Sequence, residues 1–408
     1  MTANKERIEQ HIDALKQFTA TPGQGVTRLT YSKEDLQARN YIKEKMTEYG
    51  LVVSEDGFGN IFGKLEGTLS DAPSVIVGSH FDSVPNGGAY DGTAGVVVGL
   101  EVAALFQELQ LKPTYPLEVI AMVEEEGSRF GGGLMGSRGM TGLLSEEEFY
   151  KLADKDGILA TDAMSAIGLD YSKEKVRPPE TIKAFLELHI EQGPILEEKK
   201  ICIGVVEAIV GLNHLEVTVQ GRAGHAGTTP MDYRSDALVA AAKILATFPQ
   251  IAKETGNGTV ITTGRLQVFP NGANVIPDKV VFSVDIRSGK EEQISQARQQ
   301  VDELLSAHNG VDGITISAEE QLFIEPKELD PELRGLLKEV SDELSIPYCS
   351  MSSGAGHDAM VLSDFTACGM LFIPSKDGLS HCPEEWSDAG DLADGTDVLF
   401  ETIKRLVM

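Results

Sequence analysis

Five places along the chain put side chains able to bind a cation or move a proton directly behind apolar, strand-like runs. The run SVIVGS leads into His80, with Asp82 two residues on. The glycine-rich loop VPNGGAYDGTAG carries Asp91. PLEVIAMV leads into Glu124, Glu125 and Glu126, AFLELHIEQG carries His189, and MLFIP is followed by GLSHCPEEW with His381. Open α/β sheets bind ligands at the ends of their strands. Three histidines, one aspartate and one glutamate suffice for two zinc-like ions with three protein donors each, provided one carboxylate is shared. The remaining positions would take water and substrate, which is the chemistry of metal-assisted hydrolysis.

Taken singly, each of these signals has a plainer reading. His80, His189 and His381 could each be a satisfied core or surface histidine. Asp91 stands where an N-cap for a helix beginning near Thr93 would stand. Three adjacent carboxylates repel one another unless cations or solvent intervene, and a charge run is commonly a solvated face. The run Glu146 to Glu148 has no apolar strand before it and is assigned to solvent. Cys382 beside His381 belongs to no pattern of a thiol nucleophile. Asp82, close behind His80, could orient that ring through its second nitrogen, as neighbouring carboxylates often do for ligating histidines.

The elements that must position these residues follow from periodicity. Lys33 to Tyr49 and Thr93 to Leu109 read as helices, and Ser74 to Ser79 and Pro116 to Val123 as buried strands. This alternation is the mark of an α/β layer with helices on both faces of a sheet. Beyond Gly211 the expected order is a strand His214 to Gln220, a helix Ser235 to Phe248, strands near Thr259 to Val268 and Lys279 to Arg287, a helix Glu291 to His308, and a strand Ile314 to Glu319. That is β-α-β-β-α-β, the split βαβ arrangement, expected as a small domain inserted in the larger one. Helix Glu332 to Leu344 and strand Gly369 to Ile373 then return to the first sheet.

Composition narrows the partners. Of 408 residues, 63 are acidic and 35 basic, for a formal charge of -28, which repels nucleic acid and anionic membranes. A bound anion would therefore need a local cation. Residues 1–17 have no basic-then-apolar signal pattern, and the apolar stretch from Val96 to Phe106 is interrupted by Glu101 and shorter than a bilayer span. Cys202, Cys349, Cys368 and Cys382 have no disulfide or CxxC spacing. The expectation is a cytoplasmic protein with reduced thiols and neither a nucleic-acid nor a membrane partner.

The segments GSHFDSVPNGGAYDG, EEEGSRF, ELHIEQGP, AGHAGTTPM, PNGANVIP, SGAGHDA and DGLSHCPEEW run in that order from about residue 78 to 386. In type and order they resemble the metal-dependent M20 peptidase superfamily. Within it they resemble the hydantoinase/carbamoylase branch of N-carbamoyl-L-amino acid hydrolases, allantoate amidohydrolases and β-ureidopropionases. The resemblance implies an α/β, zinc-exopeptidase-like three-layer catalytic domain over 1–211 and 329–408. It also implies an inserted ferredoxin-like βαββαβ lid and dimerisation domain over 212–328, with hinges near Gly211 and Glu325 to Asp330.

Residue by residue, the resemblance implies two divalent ions: His80 and His189 on one, Glu126 and His381 on the other, and Asp91 bridging. Zinc is the first expectation, with manganese, cobalt or nickel as alternatives. Glu125 would be the general base, Asp82 the residue orienting His80, and His225 the oxyanion donor. His225, Gln192, Asn274, Arg287, Gly354, Ala355 and Gly356 would line the substrate, with Arg287 and Asn274 on its carboxylate. Read without the resemblance, Arg287 is a surface ion-pair partner. His357 is left beside the centre without a set role, and His11, His214 and His308 as structural or exposed. The implied activity is hydrolysis of the ureido C–N bond of N-carbamoyl-L-amino acids by a homodimer. Allantoate is the alternative substrate, and an aminoacylase or dipeptidase a more distant one. Against the last, His189 stands where many peptidase members carry a carboxylate.

Overall fold

The computed structural model describes residues 2–172 and 176–408. The chain divides into two compact units, Met1–Glu207 with Leu329–Met351 and His357–Met408, and Ala208–Glu328 with Ser352–Gly356. The residues Ser352–Gly356, read from sequence with the rest of 329–408, fall in the second unit. There Val210 N–H donates to the Ser353 carbonyl at 2.9 Å and Arg287 to the Gly354 carbonyl at 3.0 Å.

In the first unit, strands Val52–Glu55, Ile61–Leu65, Leu117–Met122, Ser74–His80, Ile182–Ile190, Cys368–Ile373 and Ile203–Ile209 lie side by side in that order. The run from Leu117–Met122 to Cys368–Ile373 is parallel, and its flanks pair antiparallel. Every residue of Ser74–His80, Leu117–Met122 and Cys368–Ile373 is buried. Parallel strands covered on both faces need this, and their sequences are accordingly largely apolar runs, with buried Glu118 the exception, paired with Arg177 at 2.7 and 2.8 Å. Because the four strands run in one direction, their C-terminal ends bring His80, Glu124 to Glu126 and His189 to one edge of the sheet.

Helix Thr93–Glu108 packs against strand Ser74–His80 on one side and against helices Lys5–Lys16 and Ala389–Val407 on others. Residues 93–106 of this helix are all buried, so its apolar side chains run right round it. Glu101, the charge in that run, accepts from Arg7 Nε and Nη2 at 2.6 and 2.8 Å and from Asn4 N–H at 2.7 Å. The buried charge is thus paired and hydrogen-bonded, the condition for tolerating it.

His11 is structural. Its two ring nitrogens meet the hydroxyls of Tyr41 at 2.7 Å and Tyr49 at 2.9 Å, and burial, helped by the Lys45 and Arg7 charges, lowers its pKa to about 4. An unfolded histidine titrates near 6.5, so the unfolded chain binds the extra proton first. Stability should fall as pH drops from about 6.5 to 4, by roughly 3 kcal/mol from this group. We expect wild type to lose about 2 kcal/mol more than His11→Gln between pH 7 and 4.5 in urea unfolding; parallel losses would contradict the assignment.

The second unit has its own core, formed by Leu215, Val217, Val219, Phe282, Val284, Ile244, Val301 and their neighbours. Its strands lie in the order Leu266–Phe269, Lys279–Ser288, Gly211–Gln220, Thr315–Ile324, all antiparallel, with Val260–Thr262 also on Lys279–Ser288. In chain order this is second, third, first, fourth, the pattern of two interleaved βαβ units. The single helix expected over Ser235 to Phe248 is two, Ala237–Leu245 and Phe248–Thr255. Pro249 lacks an N–H and sits in the first turn of the second helix, where none is needed. The strand expected over Thr259 to Val268 is likewise two short ones flanking Gly264. The last strand runs on to Ile324 past a register shift between Glu320 and Leu322. No helix among the described residues is long and apolar enough to cross a membrane.

Candidate metal centre

Asp91 lies between the histidines. Its Oδ1 is 3.4 Å from His80 Nε2 and 3.2 Å from His189 Nε2, and its Oδ2 is 3.1 Å from His381 Nε2. Glu126 Oε1 closes the second set at 3.5 Å from His381 Nε2, and Glu125 Oε2 is 3.8 Å from His80 Nε2. The helix that Asp91 could have capped starts from Gly92, with no side-chain cap; the carboxylate is turned to the imidazoles instead. Gly92 has φ +59°, and a Cβ there would lie 2.3 Å from the His80 ring. The glycine therefore serves both the turn and the close approach of the ring.

The far nitrogens of the buried histidines are also held. His189 Nδ1 faces the Ile190 carbonyl at 2.9 Å, and Gly92 N–H donates to Nε2 at 3.2 Å. In the neutral ring the Ile190 contact places the proton on Nδ1 and leaves the Nε2 lone pair to the Gly92 N–H. His80 Nδ1 is 3.3 Å from the Asp82 carbonyl and 3.5 Å from its Oδ1. The Asp82 carboxylate also accepts from the amides of Glu125 at 3.1 Å and Glu126 at 3.3 Å, so one residue aims the ring and anchors the acidic turn. Glu124 faces away from these two and accepts from Arg129 and Phe130 N–H at 2.9 and 2.6 Å. The three adjacent acids therefore have three separate environments. Of the run assigned to solvent, Glu146 and Glu147 are exposed, whereas Glu148 is half-buried and accepts from Arg138 Nη2 at 2.6 Å.

Burial works against the Asp91 carboxylate, but His189, His381 and His80 beside it hold it well below the usual carboxylate range. Burial, then repulsion from Asp91, pushes Glu126 up to about 7. Burial raises Glu125 well above its ordinary value despite His80. His381 is raised to about 9, chiefly by its hydrogen bond to Asp91. The cluster thus gathers more negative charge than neutral imidazoles can balance.

Donor atoms about 2.1 Å from one tetrahedral ion stand roughly 3.4 Å apart, and the spacings around Asp91 and His381 of 3.1 to 3.5 Å match. Glu126 Oε1 is buried and has no hydrogen-bond partner among the described residues. Three donor groups at this centre have ligand atoms mutually within 4.8 Å: His80 with Asp91 and His189, Asp91 with Glu126 and His381, and His80 with Glu125 and Glu126. The residues fit divalent cations.

Gln192 lies in the cluster itself. Its Nε2 donates to Asp91 Oδ2 at 2.8 Å and is 3.4 Å from His381 Nε2. Gln192, His381 and Glu124 all have left-handed backbones, with φ 58°, 58° and 53°, a strain of about 1 to 3 kcal/mol each that functional sites tolerate. His357 is buried with its ring edge-on to His189, centroids 4.5 Å apart.

The remaining expected residues belong to the second unit. His225 is exposed, and its Nδ1 accepts from Gly227 N–H at 3.1 Å, which leaves the neutral ring's proton on Nε2 as an outward donor. Asn274 is beside it: its carbonyl accepts from Ala226 N–H at 3.0 Å, and Val275 pairs with His225. Arg287 Nε and Nη2 reach Asp285 at 2.8 and 3.4 Å, and Nη1 reaches Gly354. Of the five guanidinium donors, two are uncommitted among the described residues. Ala355 N–H donates to Ser353 Oγ at 3.1 Å, and Gly354 and Gly356 have open space where a side chain would be.

Over residues 76–405 the chain matches peptidase family M20/M25/M40. It belongs to that family. The chain is 43% identical over 406 residues to the N-carbamoyl-L-amino-acid amidohydrolase of Paenarthrobacter aurescens, covering 99% of this chain and 98% of that one. It is 37% identical over 406 residues to the allantoate amidohydrolase of Escherichia coli strain K12, covering 100% and 99%. A solved amidase of the hydantoinase/carbamoylase family from Burkholderia multivorans superposes with a TM-score of 0.93 at 32% identity, over 100% of this chain and 98% of that one.

In this M20/M25/M40 member, sequence reasoning passed over several residues at the centre. Glu385 accepts from Tyr90 and Asp91 N–H, and Ser380 Oγ lies 3.0 Å from Asp91 Oδ2. The available signal was a carboxylate four residues after His381. Two more buried acids, Glu187 and Asp358, lie near His80, with Asp358 raised to about 7 by burial and by Glu187. Elsewhere Cys202 comes within ligand spacing of Asp391 and Asp394, which are partly exposed.

Proposed function

We propose that the protein hydrolyses the ureido C–N bond of N-carbamoyl-L-amino acids, releasing the amino acid, carbon dioxide and ammonia. The observation that carries this is Asp91, with one carboxylate oxygen toward His80 and His189 and the other toward His381. This supports two divalent cations, His80 and His189 holding one, Glu126 and His381 the other, and Asp91 shared. Zinc suits such donors, and manganese, cobalt or nickel would also be accepted. When bound, the cations supply Lewis-acid polarisation of a carbonyl and acidify water.

Glu125 is the general base in this proposal. Its buried carboxyl, high in pKa and fixed through its backbone by Asp82, takes the proton of the attacking water and returns it to the departing nitrogen. The water oxygen bonds to the ureido carbon, the C–N bond breaks, and the carbamate left behind loses carbon dioxide. Asp82 keeps His80 in register. From the second unit we assign His225 Nε2–H to the tetrahedral oxyanion. Arg287 and Asn274 we assign to the substrate carboxylate, and Gln192 and Gly354 to Gly356 to the pocket.

Relatives named for N-carbamoyl-L-amino acids are 39% to 43% identical over nearly the whole chain, which favours this substrate over allantoate, whose named relatives are at 37%. The outer strand Thr315–Ile324 has one sheet edge without a strand neighbour among the described residues, which supports a homodimer through this unit. The four free cysteines support a reducing, cytoplasmic setting.

Substrate recognition can be tested at Arg287. Charge-assisted hydrogen bonds contribute about 1.5 to 3 kcal/mol, so Arg287→Leu should raise KM for an N-carbamoyl-L-amino acid by roughly 10- to 100-fold. The matching carboxamide, a poor substrate throughout, should be unaffected. Equal effects on both would remove Arg287 from carboxylate binding.

A further inference from the structure

Glu385 is 4% exposed and sits between two loops that each carry a donor of the metal centre. Its Oε1 accepts from the backbone N–H groups of Tyr90 at 2.9 Å and Asp91 at 3.0 Å. Its Oε2 accepts from Ser380 Oγ at 2.9 Å and His381 N–H at 3.4 Å. Gly88 makes room for it, since a Cβ there would fall 2.0 Å from Oε1. One carboxylate thus joins the backbone of Asp91 to the backbone of His381.

We propose that Glu385 is a positioning residue of the metal centre, clamping the Asp91 loop to the His381 loop and so setting the spacing of the Asp91, Glu126 and His381 donor set. The proposal rests on the two-cation reading above and adds a residue that reaches the donors through their backbone N–H groups and through the Ser380 hydroxyl, which lies between Glu385 and the Asp91 carboxylate.

The two donor sets differ in what holds them. His80 and His189 lie within central strands, in register with Met122 and Phe372, and are fixed by the sheet ladder. Glu126 lies four residues beyond the strand end at Met122, with its N–H on Asp82. His381 lies in a loop, with φ 58° and a side chain 49% exposed, and its N–H contact is Glu385. Loss of the clamp should therefore weaken the ion of the Asp91, Glu126 and His381 set most, because two of its donors hang on Glu385, and weaken less the ion that His80 and His189 share with Asp91. The need for a carboxylate is chemical. Each oxygen accepts two donors, whereas a glutamine would present N–H hydrogens to one of the two loops. An aspartate would be one methylene too short to reach both.

The test measures metal content and affinity of wild type, Glu385→Gln and Glu385→Asp, using zinc and, separately, cobalt(II) absorption, with thermal unfolding in EDTA as the folding control. Wild type should take up two ions. Both variants should keep their Tm in EDTA within about 3 °C, bind one ion about 10- to 100-fold more weakly, and lose clearly less affinity for the other. The cobalt spectrum should change mainly in one of two components, and kcat should fall with KM little changed. Two ions bound with wild-type affinity by the variants would overturn the proposal. So would equal weakening of both ions accompanied by a lower Tm in EDTA, the mark of general structural support. Fewer than two ions in wild type would overturn the two-cation reading itself, and the clamp with it.

Discussion

Glu125→Gln should lower kcat by about 10³-fold or more while the protein keeps its full complement of bound cations, since a positioned acid–base group contributes about 10² to 10⁴. The substitution preserves shape and removes the ability to accept a proton. The backbone of residue 125 would still be held, because its N–H donates to Asp82 Oδ1 at 3.1 Å, and that contact does not involve the side chain. Glu126, one residue on, has a different surrounding, with its Oε1 toward His381. The duties of the two neighbours are thus separable: Glu125→Gln should cost turnover and spare metal, and Glu126→Gln should cost metal. Steady-state kinetics beside elemental analysis reads both. Activity within tenfold of wild type in Glu125→Gln, with metal bound, would remove Glu125 from the proton-transfer role.

Asp91→Asn should have the other large effect, loss of tightly bound metal together with a fall in kcat/KM on the order of 10⁴-fold, the scale seen when one member of a cooperating catalytic set is removed. Both Asp91 oxygens are committed to histidines on opposite sides, so an amide leaves one side facing a donor rather than an acceptor. It also loses the charge that three imidazoles draw well below the usual carboxylate range. Elemental analysis after dialysis should find less than one ion per chain, with circular dichroism unchanged. Retention of two ions would contradict the bridging role.

The central strands and what lies at their ends are legible in the sequence for a physical reason. A parallel strand covered on both faces is a largely apolar run, so the polar residue that ends it, as His80 ends SVIVGSH, stands out. Ser74–His80 and Cys368–Ile373 are such runs, Leu117–Met122 carries Glu118 and Ile182–Ile190 carries Lys183 and Glu187, and the helix of residues 291–308 is found with both ends where its pattern placed them. The role of Asp91 is less legible, because an aspartate before a helix fits a cap equally well; only the position of Gly92 at the cap separates the two. The break before Phe248 was available from Pro249 and is a matter of weighting a proline against a long apolar period.

Long-range pairings are not legible at all. Asp91 and Glu385 are 294 residues apart and meet only because strands Ser74–His80 and Cys368–Ile373, on either side of Ile182–Ile190, end at one edge. The Arg287 contact with Asp285 is local, two residues apart on one strand face, but its contact with Gly354 spans 67 residues and accompanies the assignment of Ser352–Gly356 to the second unit. His11 shows the same limit: nothing local distinguishes a histidine buried between Tyr41 and Tyr49 from an exposed one.

Ammonia release by the purified, zinc- or manganese-loaded protein is the most direct measurement, with N-carbamoyl-L-amino acids set beside allantoate, N-carbamoyl-β-alanine, N-acetyl amino acids and a dipeptide, each repeated after chelation. The expected result is turnover of the N-carbamoyl-L-amino acids above all others, lost with the metal and restored on adding it back. Hydrolysis of only the acetyl or peptide substrates, or carbamoyl hydrolysis that persists in fully stripped protein, would contradict metal-dependent ureido hydrolysis.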